Sequence, residues 1–246
     1  MIEWIYLAFS ILIGLAVGSF LNVLILRIPK GKSVAFPPSH CPKCKKRLEW
    51  WHNIPLLSYI LLGGKCYFCK AKISIQYPLV ELATSLIYAL TFLKSGDFVQ
   101  TLIVSSVFAL LLALSLIDFK YKAVPDSLNL MALTISIFSG HVITSFTEAL
   151  LFAGGFTLLR FYVSYFAKKE ALGEADIMIA ATMGAILGVK LGLFAIFLSA
   201  IIALPIFLIA GKKDMQLPYI PFLALALYLT YMFDSLATNL ISWLYG

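Results

Sequence analysis

Eight stretches of this chain are apolar over roughly the length that crosses a bilayer, and that repeat decides most of what the chain can fold into. They run over residues 4–26, 75–93, 98–117, 127–147, 149–167, 177–189, 191–210 and 217–233. The sixth is short and must borrow length from residues before it. Hydrocarbon offers no partner for a free backbone N–H or C=O, so segments of this kind are helices. Composition agrees: 13% of the 246 residues are charged and 61% are hydrophobic, where soluble domains carry roughly 25% charged residues. The expectation is an all-α polytopic membrane protein of about eight transmembrane helices. The first run is too long for a cleavable signal peptide, lacks a basic leading region and follows Glu3, so it is expected to stay as an anchor.

The net charge of +7 raises nucleic acid as a partner, but the distribution of charge excludes it. Ten of the nineteen Lys and Arg lie between Arg27 and Lys72, in what would be one loop. Lys120 and Lys122, Lys168 and Lys169, and Lys212 and Lys213 fall in alternate later loops, while the opposite loops hold only Lys94 and Lys190. Cytoplasmic loops are the ones enriched in Lys and Arg. The amino terminus is therefore expected outside and the large loop inside. The domain reading is a first transmembrane helix over 1–27, a cytoplasmic loop over 28–74, and a multi-helix membrane domain over 75–246.

That loop carries Cys41, Cys44, Cys66 and Cys69 as two CxxC pairs. Four thiolates so spaced fit tetrahedral zinc in a closed structural site. The reducing side of the membrane disfavours disulfides; redox thiols or an iron–sulfur site are the alternatives to zinc. His40 and His52 lie nearby, but four cysteines already complete a tetrahedron. The loop also holds "NIPLLSYILLGG" (53–64), apolar but too short to span, expected on the bilayer surface or folded over the knuckles.

Two carboxylates sit where apolar runs meet the cytoplasmic face. Asp118 closes a stretch with no charged residue since Asp97. It lies at a helix C-terminus, where the macrodipole disfavours an anion, and ionisable groups near a membrane are costly without work or a partner. Asp176 opens a run, where the dipole favours it; Glu174, its neighbour, would face another direction. Asp126 follows Pro125 and reads as a helix N-cap. No Ser/His/Asp set, HExxH or phosphate-binding glycine loop points to other chemistry, so the hydrolytic candidates are carboxylates.

The stretches "GSFLNVLILRIP" (18–29), "CPKC", "NIPLLSYILLGGKCYFC", "ISIQYPLVE" (73–81), "LIDFKYKAVPD" (116–126) and "GEAD" (173–176) resemble, in order, the type IV prepilin peptidases, which are bifunctional leader peptidases and N-methyltransferases. The resemblance implies an aspartic endopeptidase of the inner membrane that removes short basic leaders from prepilins or pseudopilins of pilus or type II secretion systems. It maps the catalytic aspartates onto Asp118 and Asp176. The family's Gly–x–Gly–Asp motif reads Gly173–Glu174–Ala175–Asp176 here, with alanine for the second glycine, and Met178 occupies a region where the family carries lysine. It further implies methylation of the new amino terminus with S-adenosylmethionine, for which the sequence discloses no pocket. Glu81 matches a family "YP…E" and is a candidate structural or substrate-leader contact. Asn22 and Arg27 fall in a family-like motif of undisclosed role, and Arg160 is expected to snorkel toward the cytoplasm or pair with a carboxylate. The competing class is non-enzymatic, a membrane-anchored zinc module scaffolding a secretion or pilus assembly. A proton-coupled transporter fits less well, because both aspartates sit at one face.

Overall fold

A computed structural model describes residues 2–168, 173–210 and 218–245, and among them regular structure is helical apart from two isolated bridges. Lys169, Lys212, Lys213 and Leu217, used in the charge and span readings, lie outside the described residues. The chain divides into two compact units, 1–105 and 106–246, with the boundary inside one long helix.

In the first unit, α1 (Ile2–Arg27) packs along α3 (Gln76–Ser95). Two glycines one turn apart make that approach close. A Cβ on Gly14 would lie 2.7 Å from the Ser85 Cα, and one on Gly18 would lie 2.7 Å from the Glu81 Cα. This is the small-xxx-small device by which membrane helices gain packing contacts without a hydrophobic driving force. Buried Asn22 ties the pair by donating to the Gly18 and Tyr77 carbonyls at 3.2 and 3.1 Å. Between these helices the loop forms two cysteine knuckles and a five-residue helix, α2 (Leu57–Leu61), inside the expected apolar patch.

In the second unit, α4 (Phe98–Tyr121) runs in from the boundary, and Val107, Ala113, Leu114 and Ile117 are fully buried. It turns at 122–125 into α5 (Asp126–Ser136), whose buried face of Leu128, Asn129, Ala132 and Ser136 packs on α7 (Glu174–Ala210). α6 (Val142–Ala167) also packs on α7, and α7 on α8 (Ile220–Met232), which is followed by α9 (Asp234–Tyr245).

Three places show how the helices follow the apolar runs. The run 127–147 is not one helix: α5 ends at Ser136 and α6 starts at Val142, so the chain breaks around Gly140. The runs 177–189 and 191–210 correspond to the two parts of α7, whose helical backbone is interrupted where Gly188 takes φ 74°, ψ 178°. That φ lies in the region open to glycine, and a side chain there would also meet the Glu148 carboxylate. The last run holds α8, and α9 continues past Asp234 after a 90° bend. By length and composition four helices can cross a membrane, or five with the bent pair as one span. Among the described residues that measure does not reach the expected eight.

Candidate active site and metal centre

The two knuckles repeat one local design. Cys41 N–H donates to the Lys46 carbonyl and Lys45 N–H back to the Cys41 carbonyl; Cys66 and Ala71, then Lys70 and Cys66, do the same. Lys45 and Lys70, each just after the second cysteine of its pair, both adopt positive φ, 60° and 57°. Each turn thereby points two sulfurs the same way. All four Sγ atoms lie within 4.8 Å of one another, and Cys41 and Cys69 are 3.8 Å apart. A tetrahedral ion with Zn–S bonds of about 2.3 Å requires sulfurs roughly 3.8 Å apart. The donor set therefore fits a four-thiolate metal site.

Electrostatics divides the set. Burial pushes the Cys41 thiol up, but the Cys44 and Lys43 backbone N–H groups and the Cys66 and Cys44 sulfurs outweigh it and bring it down to about 6. At Cys44 the Lys46 N–H acts downward, while desolvation and the Cys41, Cys69 and Cys66 sulfurs raise it to about 11. Four thiolates converging on one point repel, and a bound cation relieves that repulsion. His52 stays outside the set: its Nδ1 accepts from the Glu49 N–H at 3.0 Å, and its ring stacks among Trp51, Tyr67 and Phe68.

Asp118 and Asp176 line one cleft of about 230 Å³ together with Lys122, Val124, Gly173, Ala175, Pro218, Tyr219 and Ile220. Asp118 sits in the last turn of α4 and is 8% exposed. Its Oδ2 accepts the Ile220 backbone N–H at 3.3 Å. Ile220 is the first residue of α8, so the positive end of that helix offsets the unfavourable C-terminal dipole of α4. Asp176 stands in the first turn of α7, where its Oδ2 accepts the Gly173 N–H at 3.2 Å and its own N–H donates to the Gly173 carbonyl. A third-position carboxylate reaching back to the residue before the helix is half of a capping box.

Glu174 is 77% exposed and pairs with Arg160 at 3.2 Å, so that arginine does find a carboxylate. Asp126 is the first residue of α5 and not its cap: the cap position is Pro125, and no side-chain capping bond forms. Glu81 is buried in the first unit, where its Oε2 accepts the Leu56 N–H at 2.8 Å and fastens the residue ahead of α2 to α3. Leu56 has φ 57°, a strained value for leucine, so that bond holds an otherwise unfavourable turn. Ala175 is helical and absent from the positive-φ residues, so its methyl group strains nothing.

Two participants were missed from sequence. Ile220 acts only through its backbone, and the one available signal was Pro221, which marks a helix start nearby. Asn129 gave no signal in sequence; its Nδ2 donates to the Ala175 carbonyl at 3.0 Å.

The bacterial peptidase A24 N-terminal domain model matches residues 12–95, and the type IV leader peptidase family model matches residues 105–208. The chain is 30% identical over 233 residues to the prepilin leader peptidase/N-methyltransferase of Vibrio cholerae serotype O1, covering 89% of this chain and 92% of that protein. It is 32% identical over 252 residues to the Pseudomonas aeruginosa protein of the same name, covering 88% and 87%. The Neisseria gonorrhoeae protein of that name is 32% identical over 222 residues, 78% of each chain. No solved structure gives a significant match. With both family models in register and relatives aligned along most of their length, the chain belongs to the type IV leader peptidase family.

Proposed function

We propose that this chain removes the short basic leader of a type IV prepilin or pseudopilin by aspartic peptide hydrolysis at the cytoplasmic boundary of the inner membrane. The observation that carries the reading is the shared cleft: Asp118 and Asp176, from different helices, line one cavity in a chain of leader peptidase ancestry. Two carboxylates in one low-dielectric site share a single proton. The ionised member takes a proton from water, whose oxygen attacks the scissile carbonyl carbon, while the protonated member donates to the carbonyl oxygen. Collapse of the tetrahedral intermediate breaks the C–N bond, and a returned proton releases the new amine. The pair titrates as a unit, so neither residue holds a fixed role. The prepilin's apolar helix can lie in the bilayer beside the enzyme with its scissile bond at this boundary.

The loop over 28–74 is proposed to carry one structural zinc ion on Cys41, Cys44, Cys66 and Cys69, joining the anchor (1–27) to the peptidase portion (75–246). Its bond to Leu56 favours a structural task for Glu81 over contact with the leader. Eight crossings remain our reading of the membrane path. The non-helical Gly188 divides α7 into two stretches, which we read as two crossings. The remaining crossings are then α1, α3, α4, the short α5, α6 and α8.

The relatives' names include N-methyltransferase, and we extend that activity to this chain with S-adenosylmethionine as donor. The larger cavity, about 360 Å³, is lined only by Trp4, Ile5, Ala8, Phe9 and Leu12 of α1. It presents no group for the donor's charged amino-acid end, so it does not fit, and no step is routed through the donor.

Mixing detergent-solubilised protein with a prepilin and following intact mass tests the main reading. Loss of the leader mass is expected. Stable binding with no mass loss would instead identify a scaffold.

A further inference from the structure

Asn129 is completely buried, with one half of its amide satisfied and the other half not. Its Nδ2 donates to the Ala175 carbonyl at 3.0 Å, while its Oδ1 is buried without a hydrogen-bond partner. A buried acceptor left unpaired is destabilising, and an apolar side chain of similar volume would avoid that cost. The useful half of the side chain is therefore its N–H.

Its target is informative. Ala175 immediately precedes Asp176, so the bond fixes the peptide group that carries the carboxylate into the cleft. The donor is itself held, because Asn129 stands in the first turn of α5 with its backbone N–H on the Pro125 carbonyl at 3.2 Å. The same short segment begins at Asp118, whose carbonyl accepts the Lys122 N–H in the turn between α4 and α5. One corner of the chain thus carries Asp118 at one end and the tether for Asp176 at the other.

We infer that Asn129 is a positioning residue that sets where Asp176 stands relative to Asp118, through its hydrogen bond to the Ala175 carbonyl. The inference rests on Asp176 being one of the two reacting carboxylates. Asn129 itself is buried and does not line the cleft. Small displacements of a reacting group cost large factors in rate, so the effect belongs in kcat and not in binding.

The test compares Asn129→Leu and Asp176→Asn with the wild-type chain in detergent, on a purified prepilin. Asn129→Leu keeps the branched shape and removes the unpaired acceptor, which offsets the bulk of its methyl groups, so its thermal midpoint should stay within a few degrees of the wild-type value. Its kcat should fall at least tenfold, with KM within twofold. A prepilin peptide carrying a hydroxyl-bearing isostere at the scissile bond should lose affinity by the same factor as kcat, because it needs both carboxylates in place. A folded Asn129→Leu variant with wild-type kcat would overturn the positioning role, as would losses in kcat, KM and thermal midpoint together, which describe a structural tie. If leucine prevents folding, Asn129→Ala carries the same criteria, and failure of both to fold also decides for a structural tie. Full cleavage by Asp176→Asn defeats the dyad reading itself, whereas an inactive Asp176→Asn beside a fully active Asn129→Leu defeats only the tether.

Discussion

An anion at the end of a membrane helix demands a reason, and Asp118 has one in the backbone N–H that opens α8. That N–H holds a carboxylate in place without neutralising it by a full charge, which suits a group that must exchange protons. Asp118→Asn and Asp176→Asn are each expected to abolish leader removal while leaving an inserted, folded protein, because an amide keeps the shape and cannot cycle a proton. Asp126→Asn, at an exposed helix start outside the cleft, should retain cleavage within about twofold, since first-turn dipole contacts are worth only about 0.3–1 kcal/mol. Mass spectrometry of a prepilin beside thermal melting of each variant checks both. The aspartates were legible in the sequence because charge is conspicuous in an apolar run. Their partners were not, because a backbone N–H at Ile220 has no side-chain signature and Asn129 reads as an ordinary polar residue. The alanine in the Gly–x–Gly–Asp motif raised a question that the backbone answers, since Ala175 lies in the first turn of a helix and needs no positive φ. Ala175→Gly should therefore leave cleavage within twofold and cost at most about 1 kcal/mol of stability.

At the scale of elements, spacing was informative where local geometry dominates and silent where packing does. Two CxxC pairs can converge only if each turn bends sharply after its second cysteine, and Lys45 and Lys70 supply that bend. Purified protein is expected to hold about one zinc per chain, and Cys41→Ser should reduce that content and loosen the loop; metal analysis and limited proteolysis read the two effects. Metal-free protein with an ordered, protease-resistant loop would refute the structural role. The length of one run, 127–147, was misjudged where no charge interrupts the chain before Glu148. The split at residue 190 falls beside the non-helical Gly188, whereas the run 127–147 hid the break near Gly140. The approach of α1 to α3 belongs here too. Gly18→Val should force the pair apart, because its Cβ would sit 2.7 Å from the Glu81 backbone. A cost of about 1–3 kcal/mol is typical of overpacking and should appear as a lower melting point.

For the whole molecule, orientation is what makes the chemistry reachable. A leader is synthesised in the cytoplasm, so the proposed peptidase needs Asp118 and Asp176 at that face, and the proposed topology assigns the cysteine loop to the reducing compartment. The proposed topology draws on the excess of Lys and Arg in the loop of residues 27–72 and on four cysteines that converge as a metal site requires. The path from Asp118 to Asp176 must then leave and return to that face, which requires α5 and α6 to cross the membrane in opposite directions with the break near Gly140 outside. A thiol introduced at Ser139 should accordingly react with an impermeant reagent added to intact cells, whereas one at Ser33 should react only after permeabilisation. Labelling in the reverse pattern would put the carboxylates on the outer face, away from any leader, and the cleavage reading would fall with the topology. Labelling of neither before permeabilisation would place both loops inside, so α5 and α6 would not cross, and the eight-crossing path alone would have to be abandoned.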